Sequence, residues 1–162
     1  MSLCYWGVPM FEPSDMQDIG ALLPHAGPML LLDRVVEAEG KRICCEATVR
    51  SDGLFDRAGA VPAYLGLEYM AQAIAALSGL HARQRGEPAR LGFLLGTRRF
   101  ETSAATLHCG AIVQVIVREV VRSTTGMAAF DCQVTGKDVS QSARLSVFEP
   151  GDPDHYLQGD IQ

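Results

Sequence analysis

The chain has 162 residues, 48% of them hydrophobic and 20% charged, which is enough apolar material for one compact core and too ordinary a composition for disorder. Its net charge of −5 argues against nucleic acid as the main partner. The opening "MSLCYWGVPMFEPSD" has neither a basic region with a long apolar run nor a glycine at position 2, so the expected location is cytoplasmic.

In chain order, residues 1–15 read as an irregular extension, residues 16–149 as the folded domain and residues 150–162 as an acidic, turn-rich tail. A short helix or turn is expected over Asp15 to Leu23. Strands follow over Met29 to Ala38 and Arg42 to Arg50, joined at "EGK" as a hairpin. The Gly- and Asp-rich "SDGLFDRAGA" is a loop, and Pro62 marks the first turn of a long helix that "HARQRGEPAR" ends near Arg85. From Val61 to Leu80 this helix is apolar enough to raise the question of a membrane span, which takes about 20 residues. Glu68, Gln72 and Ser78, and an apolarity made largely of Ala and Gly, favour burial in a protein core instead. The second half is β-rich, over Leu91 to Phe100, Ala111 to Arg122, Met127 to Thr135 and Ser140 to Phe148, with turns at "HCG", "STTG" and "TGKD". This order predicts an α+β fold, one long apolar helix wrapped by a curved antiparallel sheet.

From Val61 to Leu80 Glu68 is the single formal charge. Its face holds Leu65, Ala71, Gln72, Ala75 and Gly79, small enough for a backbone or a ligand to come close, beside a greasier face of Leu67, Met70, Ile74 and Leu77. An unpaired buried carboxylate tends to take up a proton, the state used in general acid work. The structural alternatives are a pair with Arg34 or Arg99, or a place at a wet edge. The cysteines, Cys4, Cys44, Cys45, Cys109 and Cys132, are odd in number and form no CxxC pair, as expected of reduced thiols used as small hydrophobes.

"LPHAGPMLLLDRV" at 23–35 followed by "PAYLGLEYMAQAIAA" at 62–76 resembles the hotdog-fold 3-hydroxyacyl-acyl carrier protein dehydratases, and most closely the branch that includes aryl polyene pathway members. The resemblance runs over about residues 17–149 and includes "RRF" at 98–100 and the "HCG" turn. It implies a hotdog fold, dehydration of a carrier-bound 3-hydroxyacyl thioester, and Glu68 as the acid in the helix. It also implies that the N–H of Ala63 polarises the thioester carbonyl, a role that an unpaired N–H at a positive helix end suits.

The sequence departs from the family at its catalytic loop histidine, whose place, 14 residues before Glu68, is taken by Leu54. His25 in the matched "LPH" motif is the leading replacement base. Its structural alternative is the second histidine that the family keeps in this motif. Asp52 and Asp56 flank the altered loop but suit turn and helix-approach roles, and His81, His108 and His155 read as surface residues. Gln72 and Leu54 are assigned to substrate binding beside Ala63.

Between His81 and Arg99 the five arginines Arg83, Arg85, Arg90, Arg98 and Arg99 face Glu87 alone, a basic run expected to dock the acidic carrier protein that the resemblance implies; the alternative is a solvated loop. No P-loop, dinucleotide fingerprint, nucleophile elbow or metal-ligand spacing is present, so no cofactor is expected. The resemblance implies a homodimer, or a heterodimer with a paralogous dehydratase. A hotdog thioesterase and a catalytically silent subunit remain the alternative readings.

Overall fold

The computed structural model describes residues 11–51 and 54–151. Cys4, Asp52 and His155, and most of the expected extension and tail, lie outside them. A six-stranded antiparallel sheet has the order β1 (Arg34–Glu39), β2 (Arg42–Thr48), β6 (Ile112–Arg122), β7 (Met127–Gly136), β8 (Val139–Phe148) and β4 (Phe93–Thr102). It curves around α1 (Gly66–Gln84), which packs on β6, β2, β7 and β8. No helix among the described residues is long and apolar enough to cross a membrane.

Period-two alternation builds the inner layer. Ile43, Cys45 and Ala47 of β2, Val113, Val115 and Val117 of β6, Phe130, Cys132 and Val134 of β7, and Leu145 and Val147 of β8 point at the helix and are buried. Helix residues Met70, Ala73, Ile74 and Leu77 meet them, while Leu22, Leu23, Leu31 and Leu32 cover the helix from the N-terminal segment. Gly79 is required here: a Cβ at that position would collide with the backbone carbonyl of Leu22. What stays half-open on the helix is a stripe of Glu68, Ala71, Ala75 and Ser78.

Two expectations need correction. The first strand begins at Arg34, not Met29, because Gly27–Met29 forms a 3-10 turn and the next peptide groups bond the Gln72 side chain instead of a neighbouring strand. Also, the loop before the helix hides a short strand. β3 (Ala60–Pro62) pairs with β5 (Thr106–His108), with Val61 opposite Leu107 and both buried, and a 3-10 turn at Ala63–Leu65 leads into α1. This small ladder fixes where the helix begins. The Asp15 to Leu23 region forms 3-10 turns at Pro13–Met16 and Ile19–Ala21.

Candidate active site

Glu68 lies in the first turn of α1, where the positive end of the helix dipole favours a carboxylate. One turn on, Gln72 is fully buried and uses its amide at both ends. Its Nε2 donates to the carbonyl of Met29 at 2.7 Å and to Glu68 Oε1 at 2.9 Å, while its Oε1 accepts from the Leu31 N–H at 2.9 Å. The side-chain amide thus does for Met29 and Leu31 what a neighbouring strand would do, and it pins the "LPH" segment to the helix. Gln72, expected to touch substrate, is fully buried here and joins Glu68 to the "LPH" segment from beneath.

That segment delivers His25 to the acid. Its Nε2 stands 3.5 Å from Glu68 Oε1, within one chain. The other ring nitrogen, Nδ1, is buried with no hydrogen-bond partner among the described residues, so Nε2 is the nitrogen turned to the acid. The side chains of His25 and Glu68 remain 29% and 32% exposed, so both are open to solvent. Glu68 is thus neither unpaired nor sealed in apolar surroundings. Nor does it pair with Arg34 or Arg99, which hold Glu46 at 3.1 Å and Glu101 at 2.8 Å.

The other expected residues are more scattered. The N–H of Ala63 donates to the carbonyl of Ala105 at 2.9 Å, so the expected polarising donor is already engaged. In the 3-10 turn that follows, the i to i+3 pattern gives the Leu65 N–H to the carbonyl of the N-cap Pro62 and leaves the Tyr64 N–H without a carbonyl inside the turn. Leu54 is 69% exposed on its loop, and Tyr64 is 64% exposed at the helix start. Asp56 makes a turn, accepting the Gly59 N–H at 3.0 Å. His108 is exposed at the end of β5.

His81 is not a surface residue. Its Nε2 bonds the carbonyl of Gly40 at 2.8 Å, its ring meets Phe11, and burial holds its pKa below the ordinary value. Cys44, Cys45 and Cys132 are buried, as expected of packing thiols, and Cys109 is partly so.

The five arginines do not form one patch. Arg83 turns inward to the carbonyl of Asp15 at 2.6 Å, and Arg85 and Arg90 share Glu87 near the helix C-terminus. Arg98 and Arg99 instead sit on β4 and help line a groove of about 750 Å³ on the outer face of the sheet, away from Glu68. Chain proximity brought these arginines together in the sequence; the sheet separates them.

The profile of the ApeP-like family, described as ApeP dehydratase, matches residues 17–158. The 3-hydroxyacyl-[acyl-carrier-protein] dehydratase FabZ of Bartonella quintana is 28% identical over 144 residues, covering 84% of this chain and 90% of the relative. FabZ of Magnetococcus marinus is 43% identical over 74 residues, 42% of this chain; the match spans 48% of that relative's length, about half. Among solved structures, the dehydratase heterocomplex ApeI:P from Xenorhabdus doucetiae gives a TM-score of 0.79 at 26% identity, covering 89% of this chain and 97% of that one. A hypothetical thioesterase from Streptococcus pneumoniae TIGR4, solved with coenzyme A, gives 0.56 at 11% identity over 73% of this chain and 85% of that one, a likeness of fold alone.

Proposed function

Because this chain belongs to the ApeP-like dehydratase family, we propose that it converts 3-hydroxyacyl thioesters carried on acyl carrier protein to 2-enoyl thioesters, in a fatty-acid or aryl polyene type of biosynthesis. The observation that carries this reading is the His25–Glu68 pair, 3.5 Å apart and fixed from below by Gln72. His25 Nε2 takes the proton from the carbon next to the thioester carbonyl. As the carbon–carbon double bond forms, the β-carbon–oxygen bond breaks and the hydroxyl leaves as water with the proton of Glu68. The proton on His25 then passes across to the Glu68 carboxylate, which restores both groups without a second base. With acid and base side by side, both proton positions lie on one face of the substrate, which supports loss of water in the syn sense. The Tyr64 N–H, in the turn after Ala63, is the candidate donor to charge on the thioester oxygen.

Leu54 at the family's histidine position supports a second element of this reading, that the chain works beside another hotdog protein. The ApeI:P structure is a heterocomplex, and in this chain β4 stands at the edge of the sheet with β8 on one side only. Pairing across β4 would extend the sheet into a partner.

The test is incubation of the purified protein with 3-hydroxyacyl- and 2-enoyl-carrier thioesters, following enoyl formation and free thiol together. Enoyl interconversion abolished by Glu68→Gln is expected, with His25→Ala lowering turnover in a folded protein. Thiol release without enoyl exchange would make the chain a thioesterase. Exchange that starts only when a second hotdog protein is added, and survives Glu68→Gln here, would make it the silent member of the pair.

A further inference from the structure

The middle of β4 carries Arg98 and Arg99 side by side, and they continue a row of charge that crosses the outer face of the sheet. Arg42 on β2 lies directly opposite Arg118 on β6, Arg118 opposite Asp131 on β7, and Asp131 opposite Arg144 on β8. Arg144 faces the bulge of β4 that holds Arg98 and Arg99, between the Thr97–Leu145 and Phe100–Ala143 pairs. Five guanidiniums therefore share the groove with two carboxylates, Glu101 and Asp131, in a chain of net charge −5. Asp131 already serves two of them, Arg144 at 2.7 Å and Arg118 at 3.7 Å, and Glu101 is taken by Arg99 at 2.8 Å. Only the Arg42–Arg118 pair sets like charges opposite one another, and Glu37 holds Arg42 at 3.1 Å, so among the described residues Arg98 is the guanidinium of this row with no carboxylate of its own.

That row reaches its positive end at the open edge. Beside it Leu94 and Leu95 are 46% and 54% exposed, apolar surface suited to cover by another strand. A fully overlapped antiparallel pairing of β4 with β4 of a second copy is centred between Thr97 and Arg98. It sets Arg98 opposite Thr97 and Arg99 opposite Gly96, so four guanidiniums gather around the two-fold axis with two carboxylates, Glu101 of each copy, and the excess there is positive. A two-residue slip in register moves the centre by only one residue and does not separate them. The opposite edge, β1, is shorter and carries Glu37 and Glu39 around a bulge.

We propose that Arg98 and Arg99 make β4 select against its own copy and for a second hotdog protein whose edge strand carries carboxylates at its middle. This rests on the edge-pairing reading above and adds the rule by which the partner is chosen. Attraction to an acidic edge and repulsion from a basic one act together, so specificity comes from both. The effect is electrostatic and weakens as salt screens exposed charges.

The experiment needs no partner in hand. Association of the full chain, of the double variant Arg98→Glu/Arg99→Glu, and of an equimolar mixture of the two is measured by sedimentation at low and high salt. The mixture is expected to form dimers about tenfold tighter than either protein alone at low salt, the size expected of several exposed charge contacts acting together, with the advantage shrinking at high salt. The neutral variant Arg98→Gln/Arg99→Gln is expected to self-associate more tightly than the wild type; it keeps the test alive if the acidic variant fails to fold. Mixing no better than statistical, with a neutral variant no tighter than wild type, would overturn the charge rule. Wild-type chains growing into an open series of oligomers would overturn it too, by showing that β4 takes the acidic β1 edge of the next copy. Carrier-thioester turnover, measured separately, decides the dehydratase reading, so failure of either idea is told from failure of the other.

Discussion

Replacing Gln72 by methionine removes both ends of a side-chain amide while keeping an unbranched chain of similar length. Three contacts go: the bond to Met29, the bond from Leu31 and the bond to Glu68. The Leu31 N–H is stranded in a residue only 5% exposed, and a buried unsatisfied donor costs about 1–3 kcal/mol. Met29 is 36% exposed, so its carbonyl regains part of its loss from water, and Glu68 regains more. Burying a thioether in place of an amide returns about 1 kcal/mol. The net expectation is a loss of about 2–3 kcal/mol, or roughly 5–10 °C in Tm for a domain of this size. Urea unfolding followed by circular dichroism measures it, with turnover of a 3-hydroxyacyl-carrier thioester measured on the same samples. Turnover is expected to fall as well, since Glu68 and the "LPH" segment lose their common anchor. A variant within about 0.5 kcal/mol of wild type and fully active would refute the assignment of Gln72 as the residue that positions the site.

Gly79→Ala is expected to destabilise by about 1–3 kcal/mol, because the new methyl meets the backbone carbonyl of Leu22 and backbone cannot rotate away; an unchanged unfolding midpoint would contradict this packing. Burial lowers the pKa of His81 from its ordinary 6.5, so unfolding lets it take up a proton more readily. Its contribution is therefore complete above that ordinary value and is lost as pH falls through the depressed folded one. His81→Gln, which keeps a donor for the Gly40 carbonyl, should flatten the fall in unfolding free energy between about pH 7 and pH 5; parallel profiles would show that His81 does not titrate in this way. Burial also pushes the thiols of Cys45 and Cys132 up to about 12, so an aromatic disulfide reagent at about pH 8 should label them only as the protein opens. Immediate labelling of either in the native protein would contradict their placement in the core.

The sequence by itself determined the elements whose signal is local. The β-rich runs from Ala111 to Arg122 and from Met127 to Thr135 marked strands, and the apolarity of Val61 to Leu80, broken by Glu68, Gln72 and Ser78, marked a helix that needed cover on most sides. It also singled out Glu68 and His25, since a carboxylate in such a helix and a histidine in a matched motif stand out one residue at a time. Tertiary structure decided whatever depends on pairs distant in the chain. The Gln72 amide bonds Leu31, 41 residues earlier in the chain, where a strand would otherwise pair, which is why the first strand starts late. β3 and β5 are too short to announce themselves, and only their ladder shows that the Ala63 N–H is engaged. The arginine run dispersed because sequence neighbours at a helix end and along a strand lead to different surfaces. A linear pattern records which face a residue prefers; which distant group waits on that face is fixed only when the sheet closes around the helix.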